Sequence, residues 1–230
     1  MKEAIIIFTR VPIPGKTKTR LEKMLSKIEC AEIHKNFLKD IRNTCKNTKR
    51  DIFIFYTPID HNNIIKNIFG DDVNYKIQEG NDLGEKMYNA IERVLNKNYK
   101  SCILIGSDIP FLNVKDLEKA FSILREKDIV LGPTEDKGYY LVGMNKATKS
   151  VFENIEYGYG NVLDNTIKSI ENANLTYDLT NKNRDIDEPE DLKHFYENIK
   201  DGKINRNLNT CNFICMVFEE YGEECLELTV

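Results

Sequence analysis

The chain has 230 residues, 41% of them apolar, with 33 Lys and Arg against 37 Asp and Glu for a formal net charge of -4. That size supports one large domain with a proper core and no need of staples, and the acidic balance excludes non-specific nucleic-acid binding, which needs a broad basic face. No apolar run is long enough for a membrane span, three histidines argue against a His-built zinc site, and six cysteines without a Cys-x-x-Cys pair, behind a start with no signal-peptide pattern, lead us to expect a reduced, cytoplasmic protein with a small ligand.

The apolar run Ala4 to Thr9 reads as a strand. It opens onto Arg10-Val-Pro12-Ile-Pro14-Gly15-Lys16-Thr-Lys18-Thr-Arg20-Leu21, in which four cations stand together and no acid occurs. Gly15-Lys16-Thr17 copies the end of a Walker A loop, but that motif needs a glycine five residues before Gly15, where this chain has Arg10. Pro12 and Pro14 also remove two backbone N–H groups, so an anion here would rest mainly on the side chains of Lys16, Lys18 and Arg20. An ordinary basic surface loop explains this segment equally well when it is taken alone.

Cys30, Ile33, Phe37, Ile41 and Cys45 keep the three-or-four spacing of a helix, and Ile52 to Tyr56 and Tyr75 to Gln78 read as strands. A helix follows through Leu83, Met87, Ile91 and Val94, then a strand at Ser101 to Gly106 and a helix through Val114, Leu117, Phe121 and Leu124. Ile129 to Gly132 and Tyr140 to Met144 are strands, Asn161 to Ala173 a helix, Leu175 to Leu179 a strand, and Glu188 to about Ile199 a helix. This alternation predicts an α/β, doubly wound, Rossmann-like and mostly parallel sheet with helices on both faces, whose ligands collect at the carboxyl ends of the strands. From Asp201 to Asn209 the chain is polar and rich in breakers, which divides it into a domain over 1–203 and an appendage over 204–230. Within that appendage Cys211-x-x-x-Cys215 reads as one helix face rather than a metal site.

Four segments after strands could carry chemistry. In Gln78-Glu-Gly80-Asn-Asp82-Leu-Gly84-Glu85, the glycines permit close approach of a base or ribose, while Asp82 as a helix N-cap with Glu85 explains the segment at least as well. Asp108 ends the strand at 101–106 and offers a hard oxygen to Mg²⁺ or Mn²⁺, or else forms a turn before Pro110. Gly132 to Tyr140 reads as a polar hairpin turn in which Gly138 supplies a positive φ, with Tyr139 and Tyr140 on opposite faces and Tyr139 toward the ligand. Asp187, Pro189 and Glu190 make a capping box at 187–190, and a capping Asp187 still has lone pairs free for a metal.

Taken in order, Pro12-x-Pro-Gly-x-x-Lys-Thr-Arg-Leu21, the Gln78 to Met87 segment, Gly106-Ser-Asp-Ile-Pro110, Gly132-Pro-x-x-Asp-x-Gly-Tyr139 and Asp185-x-Asp-x-Pro-Glu-Asp-Leu192 resemble a bacterial family of GT-A-like nucleotide-diphospho-sugar transferases, also called radical-SAM/selenodomain-associated transferases. More distantly the chain looks like the molybdenum-cofactor and phospholactate guanylyltransferases. The resemblance implies that the opening loop (Pro12, Gly15, Lys16, Lys18, Arg20), with Gln78 and Gly80, binds the nucleotide and its phosphates. It further implies that Asp108 and Asp187 hold Mg²⁺ or Mn²⁺, that Asp108 and Asp136 are catalytic, and that Gly138 and Tyr139 face a small-molecule acceptor. Where relatives usually read Asp-Gly-Gly-Tyr, this chain reads Asp136-Lys137-Gly138-Tyr139. The leading expectation is glycosyl transfer from a sugar nucleotide, because a loop with one glycine wraps a triphosphate less closely. The alternatives are nucleotidyl transfer from a nucleoside triphosphate and a non-catalytic nucleotide-binding module.

Overall fold

In the computed structural model, which describes residues 2–158, 160–204 and 206–221, seven strands form one sheet. They are β1 (Glu3–Arg10), β2 (Asp51–Thr57), β3 (Asn74–Ile77), β4 (Ser101–Ile105), β5 (Ile129–Pro133), β6 (Tyr139–Met144) and β7 (Tyr177–Leu179). Their order is β3-β2-β1-β4-β6-β5-β7, and β6 alone runs antiparallel to its neighbours. The helices are α1 (Lys27–Asn47), α2 (Asn62–Phe69), α3 (Leu83–Leu95), α4 (Val114–Ile123), α5 (Val162–Asn172), α6 (Pro189–Lys200) and α7 (Asn209–Tyr221). The fold is thus the mostly parallel α/β sheet that the strand-helix alternation predicts.

Alternation along β1 explains why the sheet needs helices on both sides. Ile5 and Ile7 enter a core with Leu38 and Ile41 of α1, Ile65 of α2 and Phe121 of α4. Ala4, Ile6 and Phe8 enter the opposite core with Met87 and Ile91 of α3 and Ile170 of α5. Burying each such aliphatic side chain contributes about 1.5–3 kcal/mol, so a strand apolar on both faces is stable only when both are covered. A third core joins α1, α6 and α7 through Phe37, Phe195, Ile214 and Val217. Helix α7 therefore packs on the domain; Cys211 is buried on it and Cys215 half-buried. Cys225 lies outside the described residues. Among those residues, no helix is long and apolar enough to cross a membrane.

Two local expectations are corrected. Gly138 does not hold the positive φ of the hairpin turn: Lys137 does, at 69°. The reason lies in Asp136, whose Oδ1 accepts from the Thr134 hydroxyl and from the Gly138 N–H (3.0 Å for the latter), closing the turn around the residue between them. The cap of α6 is likewise one residue later than expected. Glu188 is the N-cap and Asp191 its reciprocal partner, with Asp191 Oδ2 accepting the N–H groups of Asp187 (3.0 Å) and Glu188 (2.9 Å). Asp187 is thereby released from capping, and its carboxylate is free to meet the opening loop.

Candidate active site

Parallel β1 and β4 are neighbours in register, so the segments that follow them leave the sheet side by side. Strand β6, being antiparallel, brings its beginning rather than its end to that edge, and the Gly106 N–H donates to the Tyr140 carbonyl at 2.9 Å. The segment before α6 is tied to the same place because the Ile186 N–H donates to the Asp108 carbonyl at 2.9 Å. Four segments distant in sequence thus surround a cavity of about 650 Å³.

One buried cation organises the acidic side. Lys18 Nζ lies 2.6 Å from Asp108 Oδ1 and 3.6 Å from Asp187 Oδ1, and it donates to the Ile186 carbonyl at 2.5 Å. The Lys18 side chain is 4% exposed while Asp108 and Asp187 remain open at 48% and 37%, so the ammonium approaches from beneath the two carboxylates. Arg20 Nη1 donates to the other oxygen of Asp187 at 2.8 Å. Burial pushes the Asp108 carboxyl up, but the Lys18 ammonium, together with His34 and Arg10, outweighs this and leaves it below its ordinary value. Asp185 goes the other way: burial, then the negative charges of Asp136 and Asp108, raise it to about 6.

The opposite side is basic. Arg10, at the end of β1, Lys16, in the loop, and Lys86, in the first turn of α3, line the cavity. Among the described residues their side chains form no ion pair or hydrogen bond. Asp82 caps α3 by accepting the Glu85 N–H at 2.8 Å, as the sequence suggests. Gln78 faces the cavity with its amide nitrogen spent on the Thr9 carbonyl at 3.0 Å and the Phe55 carbonyl at 3.1 Å, which leaves its oxygen as the group on offer. The rings of Tyr139 and Tyr140 go to opposite faces and both line the cavity. The Tyr139 hydroxyl donates to Tyr157 at 3.3 Å, and burial raises its pKa well above the ordinary 10.0.

Of the residues singled out from the sequence, Lys16, Lys18, Arg20, Gln78, Asp108, Tyr139 and Asp187 line one cavity, whereas Pro12, Gly15, Gly80, Asp136 and Gly138 do not. Arg10, Lys86 and the buried His34 line it as well and were not among the candidates. Arg10 and Lys86 lie within segments already singled out, and Arg10 could have been found by extending the acid-free run of cations back to the end of the strand. His34 carries no such signal. Its ring sits among three hydroxyls, and burial drives its pKa down from 6.5 to about 4.

The family model described as "Uncharacterized protein conserved in bacteria (DUF2064)" matches residues 41–159. The structure is similar to that of a nucleotide-diphospho-sugar transferase from Desulfovibrio desulfuricans G20, with a TM-score of 0.89 and 29% identity over 96% of this chain and 99% of that one. Two relatives described as 2-phospho-L-lactate guanylyltransferases are each 26% identical to it. The one from Methanocaldococcus vulcanius matches over 84% of both chains. The one from Methanosphaera stadtmanae matches over 90% of this chain and 89% of its own.

Proposed function

We propose that this chain, which belongs to the DUF2064 family, is a nucleotidyltransferase that joins a nucleoside monophosphate unit to a small acceptor and releases pyrophosphate. The observation that carries the reading is the set of three cavity cations, Arg10, Lys16 and Lys86, whose side chains form no ion pair or hydrogen bond among the described residues. Arg10 and Lys16 are exposed and Lys86 half-buried, and positive charge gathered along a cavity wall without being tied up in ion pairs favours an anion of high charge, which a nucleoside triphosphate supplies. The likeness to guanylyltransferases over most of the chain supports the same choice.

In this reading an acceptor oxygen attacks the α-phosphorus, and the bond from that phosphorus to the bridging oxygen of the β-phosphate breaks. The charge that grows on the departing pyrophosphate is met by the positive charges of Arg10, Lys16 and Lys86 along the cavity wall. Asp108 Oδ1, Asp187 Oδ1 and the Ile186 carbonyl converge on one cation position, now held by the Lys18 ammonium. An all-oxygen donor set of this kind suits Mg²⁺ or Mn²⁺, with phosphate oxygens completing the shell, and Asp185 and Asp136 add negative charge behind it. When bound there, the ion would neutralise phosphate oxygens and polarise the phosphorus under attack. Lys18, displaced from the acids, would remain within the loop that serves the phosphates. Tyr139, at the start of β6, borders the space left for the acceptor.

Glycosyl transfer from a sugar nucleotide would use the same carboxylates with one phosphate fewer. The three unpartnered cations favour the triphosphate over it. The test offers each nucleoside triphosphate, and separately each common sugar nucleotide, with a panel of small phosphorylated and carboxylated acceptors and Mg²⁺ or Mn²⁺. Acceptor-dependent pyrophosphate release by the wild type and not by Asp108→Asn is the expected result. Release of nucleoside diphosphate from sugar nucleotides alone would overturn it in favour of glycosyl transfer. Nucleotide binding without turnover of either donor would make the chain a binding module.

A further inference from the structure

His34, on α1, is 2% exposed and lines the cavity, yet the reaction outlined above makes no use of it. Its Nδ1 lies 2.5 Å from Thr17 Oγ1, and its Nε2 lies 3.3 Å from Thr9 Oγ1 and 3.2 Å from Ser107 Oγ. Three segments of the site therefore meet on one ring: the end of β1, the opening loop, and the residue before Asp108. Which nitrogen holds the proton follows from the hydroxyls. Thr9 spends its one hydroxyl proton on the Arg10 carbonyl at 2.9 Å, so it can only accept from the ring. Nε2 thus carries the hydrogen, and Nδ1 is left to accept from the Thr17 hydroxyl. The same tautomer removes Ser107 and His34 as a nucleophile-base pair, because a protonated Nε2 takes no proton from Ser107.

The anchored threonine stands next to a strained residue. Lys18 has φ 51° and ψ 38°, the left-handed region that residues with a Cβ disfavour, and it starts a 3₁₀ turn over Thr19–Lys23 without a side-chain cap. Something outside the turn must hold it. On the far side the turn is fixed by Leu21, which is fully buried, and on the near side by Thr17, 3% exposed.

We propose that His34 is a positioning residue whose Nε2–H tautomer anchors Thr17, sets the left-handed turn at Lys18 and so presents the loop cations to the substrate's phosphates. This rests on the reading of the loop as a phosphate holder. Asn and Gln separate the contributions of the two ring nitrogens. His34→Asn can place an amide oxygen where Nδ1 accepts from Thr17, whereas His34→Gln places its amide near Nε2 and leaves Thr17 without an acceptor.

The probe is inorganic tripolyphosphate with Mg²⁺, titrated calorimetrically, which needs neither the cognate base nor turnover. Wild type should bind it. His34→Gln and Thr17→Val should each weaken binding about tenfold, their combination should be no worse than either alone, and His34→Asn and Thr17→Ser should stay within about threefold of wild type. Melting temperatures of the Asn and Gln variants should fall alike, which separates positioning from general stability. If the Asn and Gln variants bind equally, or if the Gln and Val losses add, the proposal is wrong while the phosphate reading stands. A wild type that ignores tripolyphosphate would sink that reading and the proposal together.

Discussion

The ammonium of Lys18 stands 2.6 Å from Oδ1 of Asp108, so the carboxylate at the end of β4 is neutralised from within by the loop that follows β1. A second carboxylate, Asp187, shares the same cation at 3.6 Å. Two acids this close would repel each other if the cation were withdrawn. Lys18→Met should therefore lower the melting temperature in the absence of divalent ions, by the equivalent of about 2–4 kcal/mol for a charge pair broken from one side. Mn²⁺ should restore most of that loss in the variant and move the wild type far less, since the wild type must first give up its own ammonium. A variant whose melting temperature is indifferent to Mn²⁺ would show that the two acids do not form a cation site. Thermal melts with a Mn²⁺ series, without any substrate, settle the point.

Asp185 and His34 give stability two opposite dependences on pH. The folded pKa of His34 falls from 6.5 to about 4, so the unfolded chain binds the extra proton first. Stability is then fully present above pH 6.5 and is lost as pH falls toward 4, by roughly 3 kcal/mol in all. The folded pKa of Asp185 rises from 3.8 to about 6. Here the unfolded chain loses its proton first, and stability is lost as pH rises through 3.8 to 6. Asp185→Asn should accordingly stabilise the protein above pH 6, by about 1 kcal/mol once solvent screening at this half-buried site is allowed for. Urea unfolding at pH 5 and pH 7.5 measures both. The expected signature is a gain for Asp185→Asn that is larger at pH 7.5 than at pH 5.

How far the site could be read from the sequence depends on how local its causes are. Asp108 and the loop cations follow apolar strands directly, and a parallel sheet sends such segments to one edge, so their meeting was legible. The placement of β6 between β4 and β5 was not, because a hairpin turn at 134–138 fixes the pairing of β5 with β6 but says nothing about β4. Helix α2 has only Ile65, Ile68 and Phe69 buried, too few positions to establish a 3.6-residue period. His34 escaped notice because its partners are three uncharged hydroxyls separated by as many as 73 residues. The cap of α6 lies one residue past the expected one because Asp187 suits an N-cap better than Glu188, and only the backbone decides that Asp191 receives both N–H groups.

Helix α7 has its N-terminal cap far away in sequence. The carboxylate of Asp40, on α1 and 2% exposed, accepts from the backbone N–H groups of Asn209 (2.9 Å) and Thr210 (2.8 Å), and from their side chains at 2.7 and 2.6 Å. A buried carboxylate with four donors at a helix start combines capping with favourable alignment to the helix dipole. Asp40→Ala leaves those donors unsatisfied beside an apolar interface. It should cost about 2–4 kcal/mol and speed amide exchange in residues 209–221 ahead of the sheet. Uniform exchange across the chain would mean that α7 and the sheet unfold as one unit.

Lys137 tests whether the one departure in the hairpin sequence is a matter of backbone strain or of charge. Its φ of 69° places a β-branched-free but Cβ-bearing residue where glycine is at ease, between Asp136 and the Gly138 N–H that Asp136 accepts. Lys137→Gly should relieve that strain and stabilise the fold by about 0.5–1 kcal/mol, offset in part by the greater freedom of glycine in the unfolded chain. Lys137→Ala keeps the strain and removes the charge. If Lys137 contributes only backbone geometry, urea midpoints should rise for Gly and stay near wild type for Ala, and substrate KM should be unchanged in both. A KM that rises equally in both variants would instead make the Lys137 side chain a contact for the acceptor, because the two share the loss of that side chain beyond Cβ.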